Sequence, residues 1–263
     1  MINENIKDLL YSSSKIIGSS DIIEKRNTIR NKFIILSKNV NTGNIQCMSN
    51  EDLKNLFDLY DEEFFNNYFQ RDFKGKLKFS LSTRMTSAAG KTIYSKKLKL
   101  IQQSDENYEI RMGIKFFFQY YKVERDKIVS GINTKDSLEA FQIVFEHELC
   151  HLIELHIYKE SSCKRLRFKT MVNNIFGHTD VVHQLPNQRE INTEKYGLTI
   201  GQKVIFVYEG KKYNGFIHKI NTRATVMVKD KKGAYRDSAG NVYSKWYVQF
   251  ANLIFNKDYN TIT

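Results

Sequence analysis

Phe145-Glu146-His147-Glu148-Leu149-Cys150-His151 is the stretch that decides how this chain reads: two histidines four residues apart, with a glutamate directly after the first. On an α-helix, residues four apart lie one turn above each other on the same face. His147 and His151 can then offer two imidazoles to one tetrahedral Zn2+ ion, at about 2.0–2.1 Å each. Glu148 can reach a water on that ion without ligating the metal. Zinc lowers the pKa of such a water towards about 7, and a carboxylate beside it takes the proton as the water attacks a carbonyl. The chemistry indicated is metal-assisted amide hydrolysis. The competing reading is a pair of partly buried helix histidines with no ligand.

The flanking residues favour a helix of the right kind. Thr134 and Asp136 are N-cap candidates, and Asp136 and Glu139 are spaced as a capping box. Leu138, Phe141, Phe145, Leu149 and Leu152 recur at intervals of three and four, which predicts a buried stripe along one side. His156 stands five residues past His151, about 140° around the helix from the ligand face, and is expected to face solvent.

With 263 residues and 41% apolar content, the chain can bury a real core and is expected to form one medium domain and a small one. Residues 1–10 are mostly polar with no apolar run behind them, which argues against a signal peptide. No run approaches the length of a membrane span. Cys47, Cys150 and Cys163 are odd in number and form no Cys-x-x-Cys pair, so a reducing, cytoplasmic setting without disulfides is expected. The formal charge is +12, and it is unevenly spread. From Tyr196 onward, 11 Lys and Arg stand against 4 Asp and Glu, whereas the preceding residues carry 30 against 25. A basic C-terminal quarter suggests an acidic partner, nucleic acid first, with an ordinary solvated face as the competing reading.

Hydrophobic periodicity divides the chain into three parts. Residues 1–45 read as a polar helical segment with Ile22, Ile23, Ile29, Phe33, Ile34 and Ile35 as a docking stripe. Residues 46–195 begin with a helix from an Asn50/Glu51 start, carrying Leu53, Leu56, Phe57, Tyr60, Phe64 and Phe65 at helical spacing. Leu77, Phe79 and Leu81 then alternate with polar residues, a second strand is expected over 91–95, and Ile110, Met112 and Ile114 alternate again. Strands followed by the long helix over 136–158 predict an α+β layout with the motif helix on a small sheet. Residues 196–263 change texture. Val204, Phe206 and Tyr208 alternate, Glu209-Gly210 marks a turn, and returning strands are expected over 213–220, 224–228 and 246–253. Short strands at that spacing fit a small all-β, SH3-like barrel.

Residues 50–180 resemble the SprT-like metallopeptidases, the family that includes the DNA–protein crosslink protease Spartan. The resemblance runs through Leu56-Phe57-Asp58-Leu59-Tyr60, Phe64-Phe65, Leu77 to Arg84 and Thr86-Ser87-Ala88-Ala89-Gly90-Lys91-Thr92, and peaks at His147-Glu148-Leu149-Cys150-His151. It implies a zincin-like core, Zn2+ as cofactor, His147 and His151 as ligands, Glu148 as general base and a protein substrate. The family's third ligand is a histidine in a His-Gly-x-x-Phe element. With Phe168 in the aromatic place, Lys164 and Arg165 stand where His-Gly would be, and a protonated lysine has no lone pair to donate. Cys163, one residue away, is the candidate third ligand, an ordinary small residue at a helix start being its plain reading, with His178 of Phe176-Gly177-His178-Thr179-Asp180 as the alternative ligand. A Gly177 helix cap with His178 merely packing beside it is the plain reading of that segment. His178 and His183 are also candidates for stabilising an oxyanion or orienting the ligands. Glu154 and Glu160 are spaced too closely for the usual downstream-glutamate ligand.

The C-terminal part is similar to the small domain that follows the peptidase core in some bacterial SprT-like proteins, at residues 201–206, 215–221 and 223–226. Its basic residues Lys211, Lys212, Lys219, Arg223, Lys229, Lys231, Lys232 and Lys245 interleave with Tyr213, Phe216, Tyr235 and Trp246, a pattern suited to phosphates and stacked bases. Three functions are therefore expected in order: a zinc endopeptidase acting near nucleic acid, a catalytically decayed zincin that binds nucleic acid, and a hydrolase of a non-peptide amide.

Overall fold

Helix α1 (Ser19–Leu36) opens the described part of the chain, residues 18–255 of a computed structural model. The first 17 residues of the expected N-terminal helical segment lie outside the described residues. The chain divides into two compact units, Met1–Leu185 and Pro186–Thr263. Each mixes helices with sheet, so the fold class is α+β.

In the first unit, α1 buries Ile22, Arg26, Ile29 and Phe33, spaced four, three and four apart, and leaves Ile23 and Ile35 exposed. The helical period thus selects half of the isoleucine stripe. Ile29 and Phe33 belong to the core of this unit, so the segment is part of the domain rather than an appendage before it. Helix α2 (Asn50–Phe65) begins at the expected Asn50/Glu51 start, with Ser49 as its N-cap. Ser49 Oγ accepts from Asp52 N, and the Asp52 carboxylate accepts from Ser49 N, a complete capping box. A short helix α3 (Tyr68–Arg71) leads to strands β1 (Lys76–Ser82), β2 (Gly90–Tyr94) and β3 (Asn107–Gly113).

These strands form a sheet in the order β1-β3-β2. β1 lies parallel to β3, matching Phe79 with Ile110 and Leu81 with Met112, and β2 is antiparallel to β3 on its other side. β2 is therefore an edge. Ile114, expected in the strand, instead begins the short helix α4 (Ile114–Phe118), because the pairing partners run out at Ser82 and Gly113. A hairpin of β4 (Lys127–Val129) and β5 (Ile132–Thr134) follows, unanticipated from the periodicity because each strand is only three residues long. Its turn residues Ser130 and Gly131 both have positive φ, 50° and 81°, as a tight twisted hairpin requires.

The motif helix α5 (Ser137–Tyr158) has Asp136 as N-cap, its side chain accepting from Glu139 N at 2.9 Å. Glu139 returns the bond to Lys135 N rather than to the cap residue itself, and Arg30 grips Asp136 with two N–H groups. The predicted stripe of Leu138, Phe141, Phe145, Leu149 and Leu152 is fully buried. At about 1.5–3 kcal/mol per side chain, such burial holds this helix far more firmly than its intrinsic propensity does. Helix α6 (Leu166–Phe176) ends at Gly177, whose φ of 70° gives the left-handed cap expected there.

The second unit begins with helix α7 (Gln188–Tyr196), capped by Asn187 and Gly197, so the unit boundary falls after Leu185 and not near residue 195. Strands β6 (Lys203–Tyr208), β7 (Lys211–Ile220), β8 (Ala224–Lys229), β9 (Tyr235–Arg236) and β10 (Val242–Val248) make one antiparallel sheet in the order β6-β7-β8-β10-β9. Glu209 and Gly210 form the β6–β7 turn, both at positive φ. The last strand starts earlier than expected and stops at Val248. The chain then turns through 250–252, and Ile254 pairs with Ile205 on the outer edge of β6. Leu198, Val204, Phe206, Ile217, Val226 and Val248 fill the core of this unit. Among the described residues, no helix is long and apolar enough to cross a membrane.

Candidate metal centre and active site

Helical spacing and the packing of α6 together bring the expected donors into one place. The Nε2 atoms of His147 and His151 lie 3.2 Å apart, close to the ~3.3 Å that separates two imidazole nitrogens on one tetrahedral zinc. Cys163, partly exposed on the loop between α5 and α6, completes a group whose donor atoms all lie within 4.8 Å of one another. Lys164 and Arg165 point into solvent. Phe168, fully buried at the start of α6, packs its ring against both imidazoles, at centroid distances of 4.9 Å to His147 and 4.3 Å to His151. Burial depresses both histidines, His147 to about 3 with His151 adding to the effect, and His151 to about 4. At neutral pH both rings are uncharged and keep a lone pair for a metal. The donor set therefore suits a metal ion.

His178 is not among these donors. It is buried beside a different face of α5, with Nε2 2.8 Å from Glu146 Oε2. Adjacent residues on a helix point about 100° apart, so Glu146 and His147 serve different faces. Glu146 also takes two bonds from Arg26, each 2.7 Å, and one from Tyr60 Oη at 2.7 Å. Burial alone would raise this carboxyl, but Arg26 and His178 overcome it and bring Glu146 down to about 2. His156 is a second correction. It is buried, 2.9 Å from Tyr68 Oη and 3.4 Å from Glu106, because α3 and the strands pack over that end of the helix. Cys150 is fully buried, and burial pushes its thiol well up, which suits a packing residue and not a ligand.

Glu148 directly follows His147 on α5. Its side chain is buried, and desolvation raises it to about 7 against the pull of Thr92. Thr92 Oγ1, on the edge strand β2, lies 2.8 Å from Glu148 Oε2 and 3.0 Å from the Glu148 carbonyl. Gly90 begins the same strand, and a Cβ there would sit 2.7 Å from both Cγ and Oε1 of Glu148. The Ala88-Ala89-Gly90 turn thus needs its glycine to make room for the carboxylate. One cleft of about 380 Å³ is lined by residues 87–90, Val129, Ser130, Val144, His147, Glu148, Val181, Val182 and His183. Another of about 270 Å³ lies along Gly90 to Tyr94 and reaches His151 and Ser161.

His183 is brought to the cleft by the β4–β5 hairpin. Ser130 N donates to Val182 O at 2.8 Å and Gln184 N to Ile128 O at 2.7 Å, which holds the 181–184 segment against it. Sequence reasoning missed Thr92, Gly90 and Ser161 as neighbours of the site. The first two fall within the quoted Ala-Ala-Gly-Lys-Thr turn, the only local signal for them. A larger hollow of about 550 Å³, lined by Phe57, Phe69, Phe73 and Phe79, includes none of these residues.

No protein-family model matches the chain, and no curated protein or solved structure is significantly similar to it.

Proposed function

We propose that the first unit is a zinc-dependent endopeptidase with a zincin-like core of SprT type, in which Glu148 is the general base. The observation that carries this reading is the convergence of His147, His151 and Cys163 beside a buried carboxylate in an open cleft. Zinc bound to those donors would polarise the scissile carbonyl and acidify a water beside it. Glu148 takes the proton of the attacking water and passes it to the leaving nitrogen, a role that suits a carboxyl poised near neutrality. Thr92 fixes the carboxylate's direction. The outer edge of β2 offers main-chain groups to an extended peptide, so a polypeptide lying along that strand would pass Glu148.

Purified protein is expected to carry one zinc per chain. Cys163→Ala should lose most of it, since two histidines alone make a weak site. His178→Ala should keep it, because that ring is committed to Glu146. Metal content by atomic absorption decides the matter. Zinc-free wild type would end the proposal, and full retention in Cys163→Ala would mean the third ligand lies elsewhere.

A second reading, a nucleic-acid-binding module, rests on the second unit, whose sheet we read as an SH3-like barrel. The basic residues expected to act together do not form one patch. Lys211 and Lys212 open β7 while Lys219 stands one residue before its end, and roughly 25 Å of strand lies between. Arg223 precedes β8, and Lys231 and Lys232 follow it. Tyr213 and Trp246 pack on the core. What favours the reading is the sheet's outer face. Cross-strand register places Lys203, Phe216, Met227 and Lys245 in one row. Lys245 Nζ sits 4.5 Å from the Tyr235 ring and 5.6 Å from that of Tyr247, the latter 63% exposed. Lysines between exposed rings suit a single strand, with phosphates on the charges and bases on the aromatics. Binding of a fluorescent oligo-dT by the full chain should weaken about tenfold in Tyr247→Ala. Lys245→Gln should reduce the salt slope by roughly 0.7. Equal binding by both variants and wild type would remove this reading.

A further inference from the structure

The motif helix carries a third polar residue on its ligand face. Glu154 follows His151 by three residues and His147 by seven, which stacks all three side chains on one side of α5. Its carboxylate is fully buried, and an ionised group in that position has to be paired and hydrogen-bonded. Three donors meet it. Arg167 Nε lies 2.6 Å from Oε1, and Ser161 Oγ and Ser162 N lie 2.5 Å and 3.1 Å from Oε2.

This arrangement dictates the proton positions around His151. Ser161 gives its only hydroxyl proton to Glu154, so Oγ is left to accept. The atom it faces is His151 Nδ1, 2.6 Å away. Nδ1 therefore carries the hydrogen of the neutral ring, and the lone pair falls on Nε2, the atom 3.2 Å from His147 Nε2. The same carboxylate also pins Ser162 N, and the next residue is Cys163. Arg167 extends the connection into α6, one residue before the Phe168 ring that packs on both histidines.

We infer that Ser161, Glu154 and Arg167 form a positioning relay, which sets the tautomer of His151 and holds the loop that presents Cys163. The inference rests on the metal-site reading above. None of the three touches the ion; they act through His151 and Cys163. A plain structural alternative exists: Glu154 and Arg167 merely staple α5 to α6. That alternative makes Ser161 dispensable for the metal, whereas the relay makes its hydroxyl essential.

The test is Co2+ titration of the full chain, followed by the d–d bands and the sulfur-to-cobalt charge-transfer band, with Zn2+ affinity measured by chelator competition. Ser161→Ala cuts the relay without touching the buried ion pair and should weaken metal binding by about 10–100-fold. Ser161→Thr keeps a hydroxyl and should recover most of the loss. Glu154→Gln should weaken binding at least as much and diminish the charge-transfer band, since the Cys163 loop loses its charged anchor. Wild-type affinity in Ser161→Ala would overturn the relay while leaving the metal site standing. Equal Co2+ binding by wild type and His151→Ala would overturn both, and is read independently of any Ser161 variant.

Discussion

Glu148→Gln is expected to leave the metal content unchanged and to lower peptide hydrolysis by about 10²–10⁴-fold, the usual contribution of a positioned general base. Glutamine matches glutamate in shape and can still accept from Thr92, so the cleft should keep its form. What it cannot do is take a proton. Cleavage of a denatured protein such as casein, with zinc measured on the same samples, tests this directly. Undiminished cleavage would remove Glu148 from the mechanism.

The same substitution should stabilise the metal-free protein at high pH. Burial raises Glu148 from an ordinary 4.5 to about 7, so between those values the folded chain holds a proton that the unfolded chain has released. This favours folding in full below about pH 4.5, and the advantage is lost as pH rises through 7. The loss is on the order of 3 kcal/mol. Metal-free Glu148→Gln should therefore melt above wild type at pH 8, with the gap closing towards pH 4.5. Parallel melting curves at both pH values would contradict it. A residue whose charge costs stability in the resting fold is what a catalytic role would leave behind.

Arg26→Ala is expected to cost about 3–5 kcal/mol of stability, because it leaves Glu146 buried with only Tyr60 and His178 as partners. For a domain of this size that is a fall of roughly 10 °C in Tm. Arg26 donates two bonds to Glu146 and a third to the Phe176 carbonyl, joining α1, α5 and the end of α6. Glu146 immediately precedes His147, so this ion pair anchors the helix on a face next to the one that carries the ligands. Denaturant unfolding of the two proteins measures the cost. Arg26→Ala combined with Glu146→Gln should recover part of it, since the unpaired charge is then gone. A loss under about 1 kcal/mol in the single variant would show that the pair carries little.

The local elements were largely legible. Periodicity located α2, β1 and α5, the Asp136 cap and the Gly177 stop, because each depends on residues within a few positions of one another. The failures have a common cause. The Ser49 cap of α2 went unread, since a cap is defined by which hydroxyl meets which amide. The angle of His156 on the helix points it to solvent, yet that angle says nothing about what packs there. Tyr68 and Glu106, far away in sequence, decided it.

The His-Glu-x-x-His spacing by itself determined that two imidazoles share one helical face with a carboxylate next to the first, because helical pitch is a property of the backbone. Only the tertiary structure decided what meets that face. It brought Cys163 in from the following loop, set His178 against Glu146 instead, laid β2 beside Glu148, and put Ser161 and Arg167 on Glu154. None of these follows from spacing, since each depends on loop paths and on the burial of charges that must find partners once water is excluded.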